Sequence, residues 1–212
     1  MPHFSAPTSR ATRSACSLRT AYDTPVSSKL VTRWIVVTLV ASIIAAVDGG
    51  WLAHWAALAP ARIWHGEVWR LVTWPFVELG PLGLILTCVA IYKLGGDLAS
   101  RWGDQRLFRF VRHVVLSAAV VTAIAGAIPG LGYVQRLGGW AICDALVIAW
   151  ARQFPVRTLT VYGLLTIGGR ELVSFTVGAA ILFAIFYGPV TMAPELVACA
   201  AAALYPKSWL RR

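Results

Sequence analysis

The sequence predicts an all-α integral membrane protein: a bundle of six transmembrane helices with a first loop lying at the membrane interface. Three observations carry that expectation. Of 212 residues, 58% are apolar and only 13% charged, and mean hydropathy is +0.68. A soluble domain carries about 25% charged residues, so this chain has too few to solvate a globule of its size. Ten tryptophans suit an interfacial belt, where the indole ring sits between lipid and water. Finally, the apolar residues gather into six runs, and a length of 212 accommodates six helices of about 20 residues each.

The elements follow in order. Residues 1–30 are rich in Ser, Thr, Ala and Arg, with Asp23 as the single acid. That composition is similar to a transit peptide, and the expected state is a disordered cytoplasmic tail. A membrane domain over residues 31–206 holds the six apolar runs, and residues 207–212 form a basic cytoplasmic end. The first run covers residues 34–51 and is broken only by Asp48. The second covers 79–96, with Lys93 placed to snorkel near its end. The third covers 113–133, with Pro129-Gly130 expected to stop it, and the fourth covers 137–151 and carries Asp144. The fifth, 172–187, ends at Gly188-Pro189, and the sixth, 190–205, carries Glu195. Several runs are shorter than an ideal span, which predicts tilt, local thinning or ends buried in protein. Residues 158–169 are short and β-branched, so periodicity does not settle their conformation; they are placed at the cytoplasmic interface.

Charge placement orients the six runs. The formal net charge is +10, from 19 basic and 9 acidic residues. With both termini in the cytoplasm, every Lys and Arg except Arg62, Arg70 and Arg136 falls on the cytoplasmic side. That is the bias the positive-inside rule requires of an even number of spans. The basic excess therefore reports orientation and excludes nucleic acid as the expected partner. The run Arg101 to Arg112, interleaved with Trp102, Phe108 and Phe110, is read as attraction to anionic headgroups. The expected location is a bacterial inner membrane.

The longest external loop, residues 52–78, is aromatic and weakly charged. Its densest part reads His65-Gly66-Glu67-Val68-Trp69-Arg70, followed by Leu71-Val72-Thr73-Trp74-Pro75-Phe76. Further along come Leu94-Gly95-Gly96, Leu98, Trp102-Gly103 with a basic-aromatic run, and Phe154-Pro155. In their order and spacing these motifs resemble the rhomboid superfamily, over roughly residues 31–206. The resemblance implies a six-span bundle. In rhomboid proteases it would also imply a serine opening the fourth span and a histidine on the sixth.

The sequence departs from that machinery. The nucleophile position falls on Gly139 or Trp140, and neither can attack a carbonyl. Glu195 stands at the histidine position, and Gly83 and Thr87 stand where the family places its oxyanion donors. Cys143, one helical turn from Trp140, is read as a packed thiol without a base. The resemblance therefore implies a pseudoprotease. The derlins, which also lack the catalytic pair and keep the Trp-Arg motif, are the closer analogy. They imply recognition of transmembrane segments of client proteins, with local thinning of the bilayer.

Other readings stay open at this point: an intramembrane peptidase with an unrecognised arrangement, or a small transporter using Asp144. An intramembrane aspartyl protease is disfavoured, because Ala141-Ile142-Cys143-Asp144 lacks the glycines of that family's motif. Ionisable residues inside a span are costly and mark function by default, which singles out Asp144 and Glu195. Either they line a polar cavity or they join two helices by hydrogen bonds. Arg70 is expected to tie the first loop to backbone carbonyls or to Glu67 or Glu78. Small residues at helical spacing, Ala141, Ala145 and Ala149 on the fourth span and Ala198 and Ala202 on the sixth, predict close backbone packing of that pair. Cys16, Cys88, Cys143 and Cys199 show no paired spacing, so neither a disulfide framework nor a metal site is expected, and no cofactor.

Overall fold

The computed structural model describes residues 28–128, 135–155, 157–161 and 165–206. The proposed N-terminal tail up to residue 27, the Pro129-Gly130 stop and the basic end 207–212 lie outside the described residues.

The first helix, α1 (Lys29–Val47), begins one turn earlier than its apolar run. Ser28 explains this, because its hydroxyl accepts the Val31 N–H at 3.2 Å and caps the helix. Beyond Asp48 the backbone turns through Gly49 and Gly50, both at positive φ (73° and 88°), which ends the span. The Asp48 carboxylate then accepts the Gly50 and Leu52 N–H groups, both at 2.8 Å. The residue that interrupts one helix thus starts the next, α2 (Trp51–Ala56).

The first loop is folded. It contains α2, α3 (Pro60–Trp64), α4 (Arg70–Thr73) and a 3-10 turn over Trp74–Phe76. Trp64 Nε1 donates to the Ala123 carbonyl at 3.0 Å, which pins this loop to the end of α7 (Asp104–Ala125).

The second span begins at Pro81 and continues to Trp102, longer than its apolar run. It comprises α5 (Pro81–Ala90), a π-type turn over Ile91–Gly95, and α6 (Gly96–Trp102). Gly103, at φ 80°, allows the sharp turn into α7. The third span also starts earlier than expected, because the basic-aromatic run after Asp104 is the first turns of α7. Two shorter helices follow among the described residues: α8 (Trp140–Gln153) and, after the long apolar helix α9 (Gly169–Tyr187), α10 (Ala193–Leu204). Two short strands, β1 (Thr158–Val161) and β2 (Leu165–Gly168), pair antiparallel, Thr158 opposite Gly168 and Val161 opposite Leu165.

Four of these helical segments are long and apolar enough to cross a membrane: Lys29–Val47, Pro81–Trp102, Asp104–Ala125 and Gly169–Tyr187. The other two expected spans are shorter. At about 1.5 Å per residue, the 14 residues of α8 and the 12 of α10 reach about 21 Å and 18 Å. A hydrocarbon core is about 30 Å thick.

The core is formed by α7, α8 and α10, which pack against one another. Leu107, Phe110, Val114, Ala118, Leu146, Trp150, Ala198 and Ala202 are all buried. The exterior is inverted relative to a soluble protein. Large apolar side chains are exposed along α1 (Val36, Val40, Ile43), along α5 (Leu82, Ile85) and along α9, where Phe175 and Phe186 are about three-quarters exposed. Such a surface is stable against lipid and not against water.

Candidate functional site

The first loop is held by Arg70, which is 1% exposed. Its Nε donates to Glu67 at 2.6 Å, and its Nη1 donates to the carbonyls of His54 and Ala57 at 2.7 and 2.8 Å. Those carbonyls lie at the C-terminal end of α2, where no intrahelical donor remains. The planar guanidinium reaches these three acceptors from two nitrogens in one fixed geometry, which a lysine ammonium does not reproduce. Glu67 is its acidic partner; Glu78 is not. Of the rest of the motif, His65 Nδ1 lies 2.6 Å from the Ala61 carbonyl, and Gly66 turns the chain at φ 99°. Trp69 stacks on Trp55 at 5.4 Å between ring centroids. Together these contacts make the loop a rigid cap.

That cap reaches the start of α8. Leu58 and Arg136 exchange backbone hydrogen bonds of 2.8 and 3.0 Å, and the Gly138 N–H donates to the Trp74 carbonyl at 3.1 Å. Glu78, on the segment joining the loop to α5, is fixed by its own N–H donating to Ser42 Oγ at 2.9 Å. Its carboxylate accepts the Gly139 N–H at 3.1 Å, at the N-terminus of α8. There the helix dipole and unpaired N–H groups favour an anion. Burial raises the Glu78 carboxyl above its ordinary value, and the Gly139 hydrogen bond opposes this in part.

The glycines around this carboxylate leave room for it, and Gly138 also sits at φ 113°, which favours glycine. A Cβ on Gly83 would lie 2.8 Å from Glu78 Oε1, and one on Gly138 would lie 2.7 Å from Oε2. A Cβ on Gly139 would lie 2.5 Å from the Thr87 methyl. Glu78 and Thr87 therefore occupy the space beside residues 138 and 139 that larger side chains would need. Thr87 also approaches Cys143, with 3.8 Å between Oγ1 and Sγ. Trp140 points elsewhere and is half exposed. The sequence singled out Gly139 and Trp140 but not Glu78, because nothing local distinguishes this carboxylate from a solvated loop residue. The signal that was available is the glycine recurrence at 83, 138 and 139.

A second polar cluster lies between α8 and α10. Arg136 Nη2 donates to Glu195 Oε1 at 3.2 Å and approaches Met192 Sδ at 2.9 Å. Glu195 Oε2 and Arg136 Nε are buried without hydrogen-bond partners. Asp144 is close enough to Glu195 for their charges to interact. Among the described residues it has no hydrogen-bond or ion-pair partner. Arg136, left out of the sequence-based site, supplies the charge that accompanies Glu195. Around both acids the helices meet through small residues: Ala141, Ala145, Ala198 and Ala202 are each no more than 1% exposed.

The opposite end of the bundle is tied by side chains. Trp150 Nε1 donates to Asp97 at 2.9 Å, and Trp102 Nε1 donates to Gln153 at 3.2 Å. Arg152 donates to the carbonyls of Ala202 and Tyr205 and so caps α10. Among the described residues no group of three or more His, Cys, Asp or Glu side chains could hold a metal ion.

No curated protein matches the chain. A family described as eukaryotic integral membrane protein, DUF1751, matches residues 29–210. That description overturns the expected bacterial inner membrane. Span length and the positive-inside bias are common to membranes that face a cytoplasm, so neither could tell a bacterial membrane from a eukaryotic one. The match runs from the start of α1 past the end of α10, and the chain belongs to this family of eukaryotic integral membrane proteins.

Proposed function

We propose that the chain is a rhomboid-like membrane protein without protease activity that binds transmembrane segments of other proteins within the bilayer. The observation that carries this reading is the carboxylate of Glu78 seated at Gly138 and Gly139. The resemblance would put a nucleophile at Gly139 or Trp140 and oxyanion donors at Gly83 and Thr87. Here that space holds an acid that would repel a developing oxyanion, where catalysis needs donors. No histidine lies on α8, α9 or α10 to serve Cys143 as a base. The short α8 and α10 support the derlin analogy, because helices of about 18–21 Å fit a locally thinned bilayer. On this reading both cross the membrane, giving six spans with both ends on the cytoplasmic side.

The test places a photo-crosslinking amino acid at Trp140 and, as a lipid-facing control, at Phe186, with a single-span peptide reconstituted alongside. Adducts from position 140 in clear excess over position 186 are expected. Equal labelling at the two positions would count against a binding site.

Asp144 favours a second reading. A carboxylate without a partner inside a span is a usual element of proton relays. Proton uptake into proteoliposomes that Asp144→Asn abolishes would support a proton-linked transporter in place of a client-binding protein.

A further inference from the structure

The geometry points to a bound anionic phospholipid between α1 and α7, its acyl chain in the groove separating the two helices and its phosphate held by Arg33 and Arg112. Both helices are among those long and apolar enough to span a membrane. They start side by side, because the Leu30 N–H reaches Asp104 at 3.4 Å. Just inside that shared end lies a groove of about 170 Å³ lined by Arg33, Trp34, Val37, Phe76, Phe108 and Val111. Its walls are apolar, and Arg33 contributes its aliphatic stem there, as basic side chains do at a membrane interface.

Charge fixes the kind of occupant. Arg33 is exposed and has no hydrogen-bond or ion-pair partner among the described residues. The Arg112 guanidinium lies 6.0 Å over the ring of Phe108, one of the groove walls. Lys29 and Arg101 add positive charge at the same end, and Asp104 is the nearby acid that partly offsets it. Basic residues at the mouth of an apolar cleft between spanning helices suit a headgroup phosphate above and a hydrocarbon chain below. A neutral lipid would fill the groove but leave both arginines unmatched. This site is independent of the proposed client binding, because it lies on α1 and α7 and not at α8.

The full-length protein, purified in mild detergent with either dioleoyl phosphatidylserine or dioleoyl phosphatidylcholine, is examined by native mass spectrometry. One phosphatidylserine per chain is expected to be retained in preference to phosphatidylcholine. Arg33→Gln is expected to weaken retention roughly fivefold, and Arg33→Gln with Arg112→Gln roughly 30-fold, on the scale of one basic residue at an anionic surface. Arg101→Gln, on the same basic run but outside the groove, is expected to change it less than about twofold. Val37→Phe, which narrows the groove at an exposed position, is expected to remove the adduct while circular dichroism stays unchanged. Excess inorganic phosphate is not expected to displace the lipid. Equal retention of the two lipids would overturn the proposal. So would an Arg101→Gln loss as large as that of Arg33→Gln, which would mean diffuse surface attraction, or displacement by phosphate, which would mean a headgroup site without a chain.

Discussion

At the scale of single residues, the site is a carboxylate among three glycines. A methyl group added at Gly139 meets the Thr87 methyl at 2.5 Å. Gly139→Ala is therefore expected to destabilise the fold by about 1–3 kcal/mol, as overpacking does. Thr87→Ser removes the opposing methyl and is expected to recover most of that loss. Thermal unfolding of the single and double variants in detergent measures the coupling, and a purely additive result would mean that the two side chains do not compete for this space. Glu78 predicts a pH dependence. Its carboxyl is raised by burial, so its folded value lies above the unfolded one of about 4.3. A raised value favours the fold below the unfolded value, and the contribution is lost as pH rises through the folded one. Glu78→Gln keeps an acceptor for the Gly139 N–H but cannot ionise. Relative to wild type it is expected to unfold at a higher temperature near about pH 8, the difference vanishing near about pH 4. An advantage for the variant that is the same at both ends would remove Glu78 ionisation as its source. Gly139, Gly83 and Thr87 are legible in the sequence through the resemblance. Glu78 is not, because the carboxylate acquires its role only when the folded loop lays it against Gly139, 61 positions later.

At the scale of helices, packing through small residues separates the interior of the bundle from its lipid-facing exterior. Ala198 is fully buried on α10 where that helix meets α8 and α7, whereas Leu204 on the same helix is 82% exposed. Ala198→Leu is expected to cost about 1–3 kcal/mol, and Leu204→Ala to stay within about 0.5 kcal/mol. Similar unfolding temperatures for the two variants would mean that α10 is not packed through this face. The alanine spacing was readable in the sequence because small residues at helical intervals serve helix–helix approach. The starts of α6 and α7 were less readable. Their charged residues lower the local hydropathy, yet the backbone stays helical through Arg101 and, after Gly103, through Arg106, Arg109 and Arg112. The pairing of β1 with β2 is not legible in the sequence, because β-branched runs of this length suit a strand or a buried helix equally. The folded state of the first loop could not be read from its composition either. It depends on Arg70 gathering carbonyls 13 and 16 positions upstream.

At the scale of the whole molecule, composition and charge already implied a multi-helix membrane protein, and four helices have the length and hydropathy to cross. The remaining two are too short by that measure, so their crossing depends on the bilayer adapting to them. With six spans, a reporter fused after Arg212 is expected on the cytoplasmic side. A signal from the opposite side would mean that only one of α8 and α10 crosses. Composition could not identify the kind of membrane, because bilayers of similar thickness and the same charge rule occur in bacteria and eukaryotes alike. The central claim is that this fold binds membrane segments without cutting them. Its most direct test is a cleavage assay in proteoliposomes with a panel of single-span substrates, comparing the wild type with Cys143→Ala. No product is expected from either protein at any substrate loading. Product formed by the wild type and abolished in Cys143→Ala would contradict it.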